Sequence, residues 1–281
     1  MNVLLLVSTL LCLTFREVAN KAYTKKTEGG VYTYTVLAGI GTIAFFLITS
    51  GKLDFQPGII PYAFAFGISY LMAGIFTLKA IAIGSLSLTS LVVSCSLILP
   101  TLYGLIFLKE NGSLFLYIGI VLLIGALILV NKTDAEAPVT GRWLLYVFLA
   151  FIGNGCCSVF QKAQQDAFNG EGKNELMIMA LVIVILVNLV LAIIHDRGNL
   201  WKYAQNAMTT GLPGGVSNGV VNLFVMIMLG RMPASVVFPL ISGGGIVLTH
   251  LVSRFYYKER LTRNQTLGFL LGILSVIFLY L

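Results

Sequence analysis

The chain has 281 residues, of which 58% are hydrophobic and 10% charged, with a mean hydropathy of +0.93. Soluble domains carry roughly 25% charged residues, and no soluble fold of this length has interior enough for so much apolar surface, so the solvent is lipid. The net charge of +7 falls in short connections and helix ends, as in membrane proteins, and without a basic stripe interleaved with aromatics nucleic acid is excluded as a partner.

A membrane-spanning helix needs about 20 mostly apolar residues. Ten stretches qualify: 2–23, 31–50, 58–79, 84–107, 113–131, 143–165, 175–195, 209–230, 234–257 and 263–281. The first could pass for a secretion signal, but it lacks a positive leading region and an Ala-x-Ala cleavage site. It also runs on through Arg16-Glu17 to about Tyr23, so it is read as a spanning helix. The most polar connections are 24–30, 131–141, 166–174 and 196–208; the last, with Trp201 and Tyr203, reads as an interfacial segment. The four cysteines, Cys12, Cys95, Cys156 and Cys157, all lie in apolar runs with no metal-ligand spacing, and are read as small core residues.

The chain repeats itself. Lys109-Glu110 followed by Gly119 is echoed by Lys258-Glu259 followed by Gly268, and Val18 to Ala22 is echoed by Val159 to Ala163. The division expected is a first five-helix repeat over 1–131, a linker over 132–142 and a second repeat over 143–281. Five is odd, so the second repeat must be inverted relative to the first. The expected fold is therefore an all-α integral membrane protein of ten transmembrane helices in two inverted five-helix repeats, with a solute site between them near mid-bilayer. With Arg16, Lys21, Lys79 and Lys162 set aside as helix residues, the odd-numbered connections hold ten Lys and Arg against four for the others, and the positive-inside rule then puts both termini outside.

This pattern resembles the drug/metabolite transporter superfamily, in particular its ten-helix EamA type. The resemblance rests on Leu78-Lys79 through Ser85-Leu86-Ser87 to Lys109-Glu110 and Gly119, and on Pro233-Ala234-Ser235 to Lys258-Glu259-Arg260-Leu261 and Gly268. The stretches from Phe15 to Lys21 and from Cys156 to Lys162 are similar to the lysine-ended first helix of that family. Two departures are Leu13-Thr14-Phe15-Arg16, where the family often has Trp-Gly-Ser-Asn, and Pro100, about a turn nearer the Lys-Glu pair than the pattern implies. The resemblance implies both termini in the cytoplasm, against the charge count, and orientation stays open between the two. It also implies a metabolite carrier, and the expected location is the bacterial plasma (inner) membrane, as a multi-pass protein.

An ionisable side chain at mid-bilayer costs at least ~2.5–3.5 kcal/mol, so each one is a functional candidate. Glu17 and Lys21 are spaced i,i+4 with the acid first, the favourable order for a local pair. Arg16 is then left over on the face of Asn20, where its planar fork suits a substrate carboxylate or phosphate; the alternative is snorkelling to an interface. Glu17 is alternatively the buried acid available for a coupling proton.

In the sixth stretch Asn154, Ser158, Gln161 and Gln165 form one polar stripe, and the eighth has Ser217, Asn218 and Asn222 after a break at Pro213-Gly214-Gly215. Such amides either glue helices together or wall a solute path. Ser242 with the three glycines after it either allows close helix packing or loosens the ninth helix so that carbonyls face a cavity. Tyr62, Phe66 and Tyr70 recur every four residues, either as core or as ring faces for a cationic solute. Glu110 and Glu259 are read as caps near the positive ends of the fifth and tenth helices.

The chain shows no H-E-x-x-H or P-loop, so no enzyme, ATP-driven pump or cofactor is expected. The expectation is a secondary carrier of a small polar metabolite, an amino acid or related compound, in contact with membrane lipid and with a coupling proton as second partner. The substrate-binding residues expected are Arg16, Glu17, Asn20, Tyr70, Asn154, Gln161, Asn218, Asn222 and Ser242. The competing readings are a quaternary-cation exporter, a lipid-intermediate flippase and a membrane scaffold without transport.

Overall fold

The computed structural model describes residues 2–51, 53–100, 103, 113–131, 140–229, 234–258 and 261–278. All the regular elements there are helical. They are α1 (Asn2–Lys26), α2 (Val31–Thr49), α3 (Ile60–Ile83), α4 (Leu86–Ser94), α5 (Leu114–Asn131), α6 (Gly141–Ala167), α7 (Lys173–His195), α8 (Leu200–Leu229), α9 (Ala234–Phe255) and α10 (Arg263–Phe278). Among the described residues, five stretches are long and apolar enough to cross a membrane: Val31–Thr49, Pro57–Ile83, Gly141–Ala167, Lys173–His195 and Leu200–Met228. Lys109 and Glu110 before α5, Glu259 before α10 and most of the expected linker lie outside the described residues.

Two expected stretches differ in form. The fourth, expected as one helix over 84–107, gives way to a 3-10 turn at Cys95–Leu97. Pro100 lies just beyond, and its ring and missing N–H disfavour a continuous α-helix over the preceding turn. The eighth begins at Leu200, so the expected interfacial segment is the start of α8, and Pro213 sits inside that helix rather than breaking it. The early turns of α8 are held by polar contacts to the α1–α2 connection. Asn206 Nδ2 donates to Thr27 Oγ1 at 3.2 Å and Tyr203 OH to the Glu28 carbonyl at 3.3 Å.

Packing pairs come in matched couples when α1–α5 are set against α6–α10. α3 packs on α6 as α8 packs on α1; α2 on α8 as α7 on α3; α1 on α9 as α6 on α4. α2 with α7, α4 with α9 and α5 with α10 pair with their own counterparts. The helix entrances match too. Gly30 before α2 and Gly172 before α7 both take the left-handed conformation, at φ 67° and 69°, which costs a residue with a Cβ about 1–2 kcal/mol.

Close approach of α2 and α8 rests on glycine. A Cβ on Gly215 would collide with the Ala38 carbonyl, and one on Gly41 with that of Leu212. Thr42 Oγ1 lies 2.9 Å from both the Ala38 and Gly215 carbonyls, bridging the two backbones. Small residues serve this purpose in lipid, where apolar burial alone gives helices no reason to associate.

The N-terminus of α2 borrows its cap. Gly30 has no side chain to offer, and Asp196, from the α7–α8 connection, accepts from Thr33 N at 3.1 Å and Thr33 Oγ1 at 2.7 Å. A carboxylate there answers both the unpaired N–H and the positive helix end. Asp196→Ala is expected to lower stability by about 1–2 kcal/mol and Asp196→Asn by less, as read by thermal unfolding of the purified protein.

Candidate functional site

A cavity of about 180 Å³, lined by polar and apolar side chains, lies between α1, α2, α3, α6 and α8. An adjoining lobe of about 160 Å³ extends it toward α4 and α9. The volume is room for roughly five or six ordered waters in each, or one small metabolite. Eight residues belong to both lobes, among them Arg16, Glu17, Thr77, Asn154, Gln161 and Asn222.

The centre is an ion pair on α1. Arg16 Nη2 lies 2.7 Å and Nε 3.1 Å from Glu17 Oε1. Sequence spacing paired Glu17 with Lys21 instead, and the structure corrects this. Lys21 Nζ donates to the carbonyls of Ile81 at 3.1 Å and Gly84 at 3.0 Å. Those carbonyls lie at the C-terminal end of α3, where unpaired oxygens and the negative helix pole attract a cation. Glu17 is thereby left to the guanidinium.

From the pair a chain of hydrogen bonds runs both ways. Arg16 Nη1 donates to Asn218 Oδ1 at 2.8 Å, and Asn218 Nδ2 donates to Tyr70 OH at 2.6 Å. On the other side Asn20 Nδ2 lies 3.4 Å from Glu17 Oε2, and Tyr34 OH donates to Asn20 Oδ1 at 2.8 Å. Four helices thus share one network: α1, α2, α3 and α8. The Glu17 side chain is 7% exposed and that of Arg16 31%, so the acid is enclosed while the guanidinium keeps a face toward the cavity. A buried pair is tolerated in apolar surroundings only when its remaining lone pairs and protons are met, and this network meets most of them.

Eight of the nine sequence-predicted residues, Arg16, Glu17, Asn20, Tyr70, Asn154, Gln161, Asn218 and Asn222, line the first lobe. Ser242 lies on α9, and its side chain falls outside the described residues. Of the aromatic stripe, Phe66 and Tyr70 stack with ring centroids 5.8 Å apart and line the cavity. Tyr62 turns instead to Phe168, edge to face at 6.1 Å. Asn154 Nδ2 donates to Ser96 Oγ at 2.7 Å, so this amide ties α6 to the 3-10 turn beside the cavity. Lys79, read as interfacial, has Nζ 3.3 Å from Tyr32 OH and 5.2 Å over the Tyr32 ring, a cation–π placement.

Sequence reasoning missed Tyr34, Thr77, Ser90 and Thr249 among the lining residues. Single hydroxyls on apolar helices give no pattern to find. For Tyr34 the available signal was its i+4 phase with Ala38 and Thr42, which puts all three on one face of α2.

Residues 140–281 match the sequence profile of a family described as the EamA-like transporter family. No curated protein matches the chain significantly. One solved crystal structure, described only as that of a protein, aligns over 99% of this chain and 95% of its own, with a TM-score of 0.62 and 14% identity. At that identity the likeness establishes the fold alone.

Proposed function

Since the chain belongs to the EamA-like transporter family, a branch of the drug/metabolite transporter superfamily, and is a membrane transporter in general terms, we propose that it is a secondary active carrier of a small polar metabolite, an amino acid or related compound. Its ten helices form two inverted five-helix repeats, 1–131 and 143–281, joined by a linker over 132–142. The matched packing couples and the paired left-handed glycines at α2 and α7 support this arrangement. The two repeats rock about the central cavity and expose it to one side of the membrane at a time, the bacterial plasma (inner) membrane being the setting.

The observation that carries the reading is the Arg16–Glu17 pair within an amide- and tyrosine-lined cavity walled by helices of both halves. An apolar membrane protein gains nothing in stability from such a pair, since well-packed apolar side chains do as well or better. A solute path, however, needs charges and amides facing it. Arg16, Asn20, Asn154, Gln161, Asn218 and Asn222 provide polar contacts, Tyr70 a hydroxyl and a ring face, and Ser242 a further hydroxyl from α9. Glu17 is the group placed to carry a coupling proton.

The test is counterflow. Purified protein in liposomes preloaded with mixed amino acids is expected to accumulate at least one radiolabelled amino acid saturably, and uptake no greater than in protein-free liposomes across all twenty would sink the reading. Tyr70→Phe, which removes the hydroxyl bound by Asn218, is expected to slow that counterflow about tenfold, the weight of one hydrogen bond of about 1–1.5 kcal/mol.

A further inference from the structure

The lobe between α4, α6 and α9 contains polar atoms that the fold does not use. Thr249 Oγ1, Ser90 Oγ and Gln161 Nε2 are each buried without a hydrogen-bond partner among the described residues, and all three residues line this lobe. Thr249 is 1% exposed. The chain itself supplies the contrast. Thr9, Thr14, Thr35, Thr42 and Ser69 all donate to the carbonyl four residues earlier, the usual solution for a hydroxyl on an apolar helix. Leaving a buried hydroxyl without a partner costs about 1–3 kcal/mol, and here two of them belong to residues that line one cavity from different helices.

We propose that this lobe is a carboxylate subsite, in which Thr249, Ser90 and Gln161 donate to the acid end of the carried solute beside Arg16. The inference rests on the carrier reading and names its substrate class as carboxylate-bearing. The chemistry follows from counting protons. A guanidinium has five N–H groups; Arg16 uses Nε and one hydrogen of Nη2 on Glu17, and one hydrogen of Nη1 on Asn218. Two N–H groups remain, together with two hydroxyl protons and a carboxamide NH2. A carboxylate is acceptor-only, with about four lone-pair sites, and matches that surplus of donors. A single negative charge also fits better than two, because Glu17 already neutralises the guanidinium.

The experiment titrates the purified full-length protein with sodium 4-methylpentanoate, with 4-methylpentanamide, and with sodium chloride at matched ionic strength, reading thermal unfolding. The wild type is expected to show saturable stabilisation by the acid and none by the amide or chloride. The double variant Ser90→Ala/Thr249→Val is expected to raise the apparent dissociation constant for the acid at least tenfold. Without ligand it is expected to unfold at the same or a higher temperature, because the deleted hydroxyls have no partner to lose; a merely structural role predicts the opposite. Equal stabilisation of wild type and variant, an equal response to acid and amide, or no saturable response of the wild type to the acid overturns the subsite. Amino-acid counterflow that persists alongside any of those results leaves the carrier reading standing and removes only this one.

Discussion

Arg16→Ala is expected to abolish counterflow and to destabilise the folded protein, and the second effect separates two roles of the pair. Removing one partner strands Glu17, which is almost fully enclosed; breaking a buried pair typically costs about 3–5 kcal/mol. Water reaching Arg16 through the cavity reduces that figure here. The double variant Arg16→Ala/Glu17→Gln leaves no orphaned charge and is expected to recover most of the lost stability, giving a coupling energy of about 0.5–3 kcal/mol in a double-mutant cycle. Transport is expected to stay lost in the double variant. Recovery of both together would mean that the pair serves the fold and not the solute. Thermal unfolding and counterflow on the same four preparations decide it.

Gly215→Ala is expected to have the largest structural effect of any single methyl group. The added Cβ would fall on the Ala38 carbonyl oxygen and lie 3.0 Å from the Ala38 Cα. Those are backbone atoms and cannot swing aside as a side chain can, so α2 and α8 must separate and the Thr42 bridge to Gly215 must open. Overpacking against movable side chains costs about 1–3 kcal/mol, and against backbone the loss is expected at or above the top of that range. Gly125→Ala on α5 provides the control. Its Cβ meets nothing within 4 Å, and alanine favours the helix by roughly 1 kcal/mol over glycine. Size-exclusion profiles and melting curves of the two variants are expected to diverge in opposite directions from the parent; an undisturbed Gly215→Ala profile would mean the α2–α8 crossing is looser than the structure has it.

The cavity was legible in the sequence because lipid makes polar residues conspicuous. Asn154, Gln161, Asn218 and Asn222 stand out within apolar runs, and the structure brings them to one cavity with Arg16 and Glu17. What failed was the choice of partners. The i,i+4 rule describes one helix in isolation, and it assigned Lys21 to Glu17 without sight of the α3 terminus, 60 residues along the chain, whose carbonyls take the ammonium. The same blindness to neighbours hid Asp196 as the cap of α2, since Gly30 leaves no capping signature where one is sought. Pro213 misled in the opposite sense: proline reads as a break, whereas a membrane helix carries it where neighbours and local adjustments meet the freed carbonyl. Thr249 and Ser90 were illegible for a simpler reason, because a lone hydroxyl becomes informative only when its lack of a partner can be seen.

The joined charges of Arg16 and Glu17 sum to zero, and they sit near the middle of α1. A membrane voltage of 100 mV acts on each elementary charge moved across it with about 2.3 kcal/mol, and on a neutral couple with almost nothing. Under the proposed alternating-access cycle, the empty protein therefore resets without electrical work from these two groups. On that reading this pair draws nothing from the voltage in the return step, and the current of a turnover is set by the other charges of the protein, the passenger and any ion that travels with it.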